Sequence, residues 1–237
     1  MMKSKLLNSL ILAALALPGV AMAEDSPLSG NVSLTTDYLF RGVTQTDHRG
    51  AIQGGFDYAN PSGWYVGVWG SNISWITDGT NVIPGSSLEL DTYAGYSGGF
   101  ATDFTYDVGI LRYNYSGENP PGMVSATTNE IYGSIGWKWI SAKYSRSTGN
   151  LFGVPDSSGS GYLELNGTYT LEGPAVDLSA HYGKQTVSGA GNDPLTYSDY
   201  NVKVAKDFSG YTVAFMINNT NITGDSARGV LSVSHSM

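Results

Sequence analysis

About a dozen segments of this chain alternate apolar with polar or small side chains, and the gaps between them are in turn short and long. Residues 65–74 follow the gap 60–63 and precede 75–86. The pairs 98–102 then 116–126, and 136–138 then 147–159, repeat the rhythm. So do 171–174 then 188–196, and 207–210 then 219–227. Alternation at period two gives a strand two unlike faces. Turns sorted by length belong to an antiparallel up-and-down barrel of an outer membrane, with tight periplasmic turns and longer external loops. A soluble β-sandwich has no reason to sort its turns.

The expected fold is therefore all-β, a transmembrane antiparallel up-and-down β-barrel of about twelve strands. The strands are expected near 30–41, 49–59, 64–74, 87–97, 103–115, 127–137, 138–147, 160–170, 175–187, 197–206, 211–218 and 228–237. Ten or fourteen strands are the neighbouring solutions, because the 136–138 turn and the final strand carry the weakest signals.

Residues 1–23 read as a cleaved secretory signal peptide. Lys3 and Lys5 precede an apolar run over 6–20, and Ala21-Met22-Ala23 supplies the small-residue cleavage site. Residues 24–237 then form a single barrel domain. No later run approaches the roughly 20 apolar residues of a helical span, whereas a spanning strand needs only about 9–11. There are no cysteines, so disulfides and thiolate chemistry are excluded. The leader holds two of the 12 Lys+Arg and none of the 20 Asp+Glu, so the remainder carries 10 − 20, about −10. That balance argues against nucleic acid and anionic polymers as partners.

Parity assigns faces. In the first strand Val32, Leu34, Thr36, Tyr38 and Phe40 fall opposite Asn31, Ser33, Thr35, Asp37 and Arg41. The apolar set is expected to face lipid and the polar set the lumen. Tyr58, Trp64, Tyr96, Phe104, Trp137, Tyr169 and Tyr211 sit on the apolar parity beside short turns, where amphipathic rings form an interfacial girdle. Phe40, Tyr144, Tyr182 and Tyr200 are candidates for the opposite girdle.

Residues 28–74 carry the most distinctive pattern. It comprises Leu28-Ser29-Gly30-Asn31-Val32, Asp37-Tyr38-Leu39-Phe40-Arg41-Gly42, Gln53-Gly54-Gly55-Phe56-Asp57-Tyr58, Gly63-Trp64-Tyr65-Val66-Gly67 and Trp69-Gly70-Ser71-Asn72. This block resembles the opening of the TorF-type porins, a family also catalogued as conserved proteins of unknown function. The resemblance implies an outer-membrane barrel first and transport second. Such barrels commonly end in an aromatic residue that the insertion machinery reads; this chain ends in Met237.

The chemistry concentrates on the inward parity. Asp37, Arg41, Arg49, Gln53, Asp57, Glu89, Asp91, Tyr93, Glu130, Lys143, Glu164, Asp177, His181, Asp199 and Lys203 are the candidate pore-lining residues. Arg41 and Arg49 are expected to face Asp37, Asp57 and Glu89 across neighbouring strands near the mouth. An acid-dominated lumen favours cations or neutral polar solutes. The expected function is a narrow outer-membrane diffusion channel, with no cofactor and no catalytic or metal site. The alternative is a non-conducting barrel whose loops bind a partner or support the envelope. Expected partners are outer-membrane lipid and lipopolysaccharide, the barrel-assembly machinery and a small polar solute. Only His48, His181 and His235 could serve as imidazole bases, and no G-x-S-x-G elbow is present, so an enzyme is not expected. Trp75 and Phe152 are expected to pack over the mouth, and Arg112 to reach lipid headgroups from the outer face.

Overall fold

Twelve strands close into one antiparallel barrel in the computed structural model, which describes residues 26–77, 86–117 and 123–237. In chain order they begin with β1 (Leu28–Thr35), followed by a small pair, β2 (Leu39–Phe40) and β3 (Val43–Thr44). The wall continues through β4 (Ala51–Ala59), β5 (Trp64–Asn72), β6 (Leu88–Phe100), β7 (Phe104–Tyr115) and β8 (Thr128–Trp137). It is completed by β9 (Ile140–Ser147), β10 (Gly161–Leu171), β11 (Val176–Thr186), β12 (Tyr197–Phe208), β13 (Tyr211–Thr220) and β14 (Arg228–Ser236). Each wall strand pairs with its neighbours in sequence, and β1 closes the ring on β14 from Asn31↔Ser236 to Thr35↔Ser232. The expected leader and its cleavage site lie outside the described residues.

Turn lengths sort as the sequence implies. The 138–139 connection is a two-residue turn with Lys138 at φ 53°. The last strand is fully paired, and Gly30 and Met237 exchange backbone hydrogen bonds at 2.7 and 2.9 Å. Met237 itself is exposed, while beside it the His235 ring stacks on Tyr211 at 4.8 Å and takes part in the aromatic rim.

The outer surface is an apolar belt. Leu34, Ile52, Phe56, Val66, Ile110, Leu165, Val202 and Leu231 all point away from the lumen and stand exposed. A continuous belt of this kind in water would be an aggregation surface, whereas in a bilayer it is the lipid-facing wall. Aromatic rings mark its short-turn edge, with Trp64 against Tyr96 at 5.1 Å and Phe104 against Trp137 at 6.3 Å. Phe100, Trp139 and Phe208 join that rim, and Tyr144, Tyr182 and Tyr200 are exposed toward the other edge.

Inside, rings lie over the glycines of neighbouring strands. A Cβ on Gly67 would meet the Tyr93 ring at 2.4 Å, and one on Gly183 would meet the Tyr162 hydroxyl at 2.0 Å. Gly95 and Gly109 similarly accommodate Tyr65 and Tyr132. Flat rings thereby press against the wall, and packing density is reached without narrowing every level of the lumen equally.

One expectation fails. The first strand was to run through Arg41, with Tyr38 and Phe40 facing lipid. It ends at Thr35 instead; Thr36 still bonds Leu231, and residues 37–46 leave the wall and fold inward before the exposed 47–50 return to it. Tyr38 and Leu39 are buried in the lumen, and Phe40 packs on Tyr113 and Phe152 rather than joining an outer girdle. The physical reason is a second, smaller hairpin. Leu39 pairs with Thr44 and Phe40 with Val43 around Arg41 and Gly42, both at positive φ (47° and 79°). Two consecutive left-handed residues define the turn whose twist suits a two-residue hairpin.

Candidate functional site

The inward hairpin crosses the barrel and builds its constriction. Arg41 at its tip donates to both Glu130 carboxylate oxygens at 2.9 and 2.8 Å, on β8, and to Gln185 Oε1 at 2.7 Å, on β11. Its guanidinium lies 4.8 Å from the Phe40 ring and 4.4 Å from the Tyr162 ring. Burial alone would pull the guanidinium below its ordinary pKa. The Glu130 charge, helped by Tyr113 and Tyr162, outweighs burial, so Arg41 titrates above its usual range and stays charged.

The rest of the hairpin is anchored around the ring. The Gly42 carbonyl accepts from Asn218 Nδ2 at 3.0 Å, and a Cβ on Gly42 would come within 2.5 Å of the Asp199 Cβ. Only glycine satisfies both the positive φ and that approach. Tyr38 donates to Glu89 at 2.7 Å on β6 and packs edge-on against Trp69. Asp37 holds the hairpin base, accepting from the Thr44 and Thr46 hydroxyls at 2.6 and 3.1 Å and lying 3.0 Å from His48 Nδ1.

The sequence-derived candidates separate accordingly. Arg41 does not meet Asp37, Asp57 or Glu89, because the hairpin carries it past the adjacent strands to the far wall. Arg49 is exposed outside the constriction, its Nε 3.1 Å from the Thr46 carbonyl. Glu89, Asp91, Glu130, His181 and Asp199 are buried at or below the hairpin. His181 Nε2 stands 3.0 Å from Asp199 Oδ1, and Tyr162 donates to Asp199 Oδ2 at 3.0 Å. Toward the short turns Asp57 accepts from Tyr93 at 2.5 Å and Thr170 donates to Asp177 at 2.7 Å; toward the long loops Gln53 bridges Ser33 and Ser71. Lys143 lies 4.3 Å from the Tyr132 ring; Glu164 accepts from Asn166 at 3.4 Å; Lys203 is partly exposed.

Several lumen residues were not anticipated. Asp107 accepts from the Tyr65 hydroxyl at 2.6 Å, and Tyr65 contacts Tyr132. The parity of the 103–115 strand, which puts Asp107 with Leu111 and Tyr113, carried that signal. Asp91 is fully buried and neither carboxylate oxygen has a hydrogen-bond partner; both amide atoms of Asn201 and Oδ1 of Asn218 share that condition. Trp75 and Phe152 do pack over the mouth, Trp75 on Tyr115 at 5.4 Å and Phe152 on Tyr113 at 5.1 Å. Among the described residues no cluster of three His, Asp or Glu converges as a metal site.

A closed twelve-stranded barrel with an apolar outside and a polar, hairpin-crossed inside belongs to the class of membrane-spanning β-barrels. Within that class, residues 21–233 match the family Gcw_chp, described as bacterial protein of unknown function, and the chain belongs to that family. The match does not carry the TorF-type name. No curated protein matches. Among solved structures, a KdgM porin in complex with disordered oligogalacturonate is similar at TM-score 0.53 and 12% identity, covering 89% of this chain and 98% of that one. A protein solved in work on in-meso crystallization of membrane proteins gives TM-score 0.51 and 10% identity, covering 89% and 83%. At those identities the likeness is one of fold, and the fold is that of an outer-membrane porin.

Proposed function

We propose that this protein is a narrow outer-membrane channel for small polar or cationic solutes, with the 37–46 hairpin as its constriction. The carrying observation is the set of buried polar atoms in the lumen: Asp91 on β6 and Asn201 on the opposite wall, β12, offer atoms that no protein group satisfies. Buried polar atoms in a polar cavity are satisfied by ordered water, and a water-lined layer is what a small hydrated solute can cross. Charge sets the preference. Asp57, Glu89, Asp91, Asp107, Glu130, Glu164, Asp177 and Asp199 line the wall against Arg41, Lys143 and Lys203. An acid excess favours cations through the local potential. The KdgM structure holds an oligogalacturonate, a polyanion; the acid excess here argues for a different solute.

The Arg41 contacts favour a second reading, a barrel whose plug stays shut and whose loops do the work. Planar-bilayer recording in a salt gradient separates the two. The channel reading expects small currents whose reversal potential reports cation preference. Silent bilayers from folded protein would favour the plugged barrel, and anion preference would refute the charge argument. Neither reading uses a cofactor or catalysis.

A further inference from the structure

We propose that the outer face of β7–β11 is a docking surface for a phosphorylated glycolipid of the outer leaflet. The inference rests on the outer-membrane reading above and concerns the opposite side of the wall from the lumen. Arg112, Arg146 and Lys184 point outward on β7, β9 and β11, and all three are exposed. They stand eight, six and eight residues from Phe104, Ile140 and Val176, the short-turn ends of their strands. The strands of a barrel are tilted together, so these distances place Arg112 and Lys184 at one height and Arg146 about two residues lower, within one band.

The register supports the same arrangement. Arg112 is opposite Asn129, Arg146 is opposite Ile131, and Lys184 is opposite Leu163. Each second strand thus brings one base to the upper border of the apolar belt. Arg112 is pre-oriented, its Nε and Nη1 donating to Asn114 and Asn129 at 2.7 and 3.0 Å. Tyr144 and Tyr182 expose amphipathic rings in the same sector. At seven or eight residues from the same rim, β4, β6, β12, β13 and β14 present Ile52, Thr92, Tyr200, Asn219 and Gly229, which carry no charge.

Charge complementarity selects the occupant. Three bases with no outward acid on the described strands β7–β11, at the long-loop border of a lipid-facing wall, suit phosphate groups that cap acyl chains. Free phosphate would gain nothing from the apolar belt below. A phosphorylated glycolipid fits both parts.

Native mass spectrometry of detergent-folded protein, titrated with bisphosphorylated lipid A, provides the test. At about 5-fold per base, the R112Q/R146Q/K184Q variant is expected to bind roughly 100-fold more weakly than wild type. The R146Q/K184Q variant keeps the Arg112 bonds intact and is expected to lose about 25-fold by the same increments. Lys138→Gln, at a short turn on the opposite rim, should change nothing. Unchanged affinity in both variants, or equal binding of dephosphorylated lipid A by wild type, would overturn the proposal. If the protein inserts into bilayers and conducts while lipid A binding is unaltered, this inference alone falls; failure to insert removes the outer-membrane reading with it.

Discussion

The two ends of the lumen are built on opposite principles. Toward the long loops, the hairpin, Tyr38, Trp69, Tyr113 and the Arg41–Glu130 pair fill the cross-section, and the side chains there are buried. Toward the short turns, Asn31, Thr105, Ser134, Thr212 and Ser234 line the wall with small polar groups that remain partly exposed. The wall is the same ladder throughout; only what the inward positions hold differs. A twelve-stranded barrel is wider than the eight-stranded kind that wall side chains alone can fill. Closing such a barrel therefore takes an extra segment, and leaving it open takes only small residues.

Substitutions can break this contrast, and the largest effect is expected at Arg41. Arg41→Ala leaves Glu130 and Gln185 buried without their partner, which costs about 3–5 kcal/mol. Denaturant titration of heat-modifiable folding should register that loss, and bilayer conductance should rise as the latch is lost. Trp69→Ala removes a ring from the packed end and should cost about 3–5 kcal/mol in the same titration. An effect near zero would mean that the plug contributes little to stability.

Gly183→Ala tests the ring-over-glycine packing. Its Cβ would collide with the Tyr162 hydroxyl, so a loss of about 1–3 kcal/mol is expected, and Gly183→Ala combined with Tyr162→Phe should recover part of it. Asp91→Asn should leave folding intact and move the reversal potential toward that of a non-selective pore, since it removes one charge from the constriction. An unmoved potential would place selectivity elsewhere. Ser234→Ala, at the open end, should stay within about 0.5 kcal/mol of wild type.

The sequence made the wall legible and left the plug largely unread, for a physical reason. Alternation is a local property, and each strand's inward and outward positions follow from it without knowledge of any partner. The length-sorted turns then supply direction, so the strand count and the short-turn rim could be read, and the opposite rim except for Phe40. The hairpin obeys a different logic. Thr36 to Phe40 continues the alternation of β1, so pattern alone carries the strand on through Arg41. A shorter signal competed with it: Leu39-Phe40 and Val43-Thr44 flank a two-residue segment containing glycine, the mark of a tight hairpin. What no local pattern encodes is the destination of Arg41, whose partners Glu130 and Gln185 lie 89 and 144 residues away. Asp107 was within reach of parity and simply belongs with Leu111 and Tyr113.

The seam between β1 and β14 has a consequence for the order in which this molecule assembles. It joins the two most distant parts of the wall, so it carries the greatest loop-closure cost and forms after the neighbouring hairpins have zipped. The 37–46 segment springs from one lip of that seam and reaches β6, β8, β11 and β13. Those anchors are open to it while the sheet is still an uncurled ribbon and are enclosed once the ring shuts. Closing the ring carries the segment to those anchors, which couples the last step of folding to the locking of the constriction.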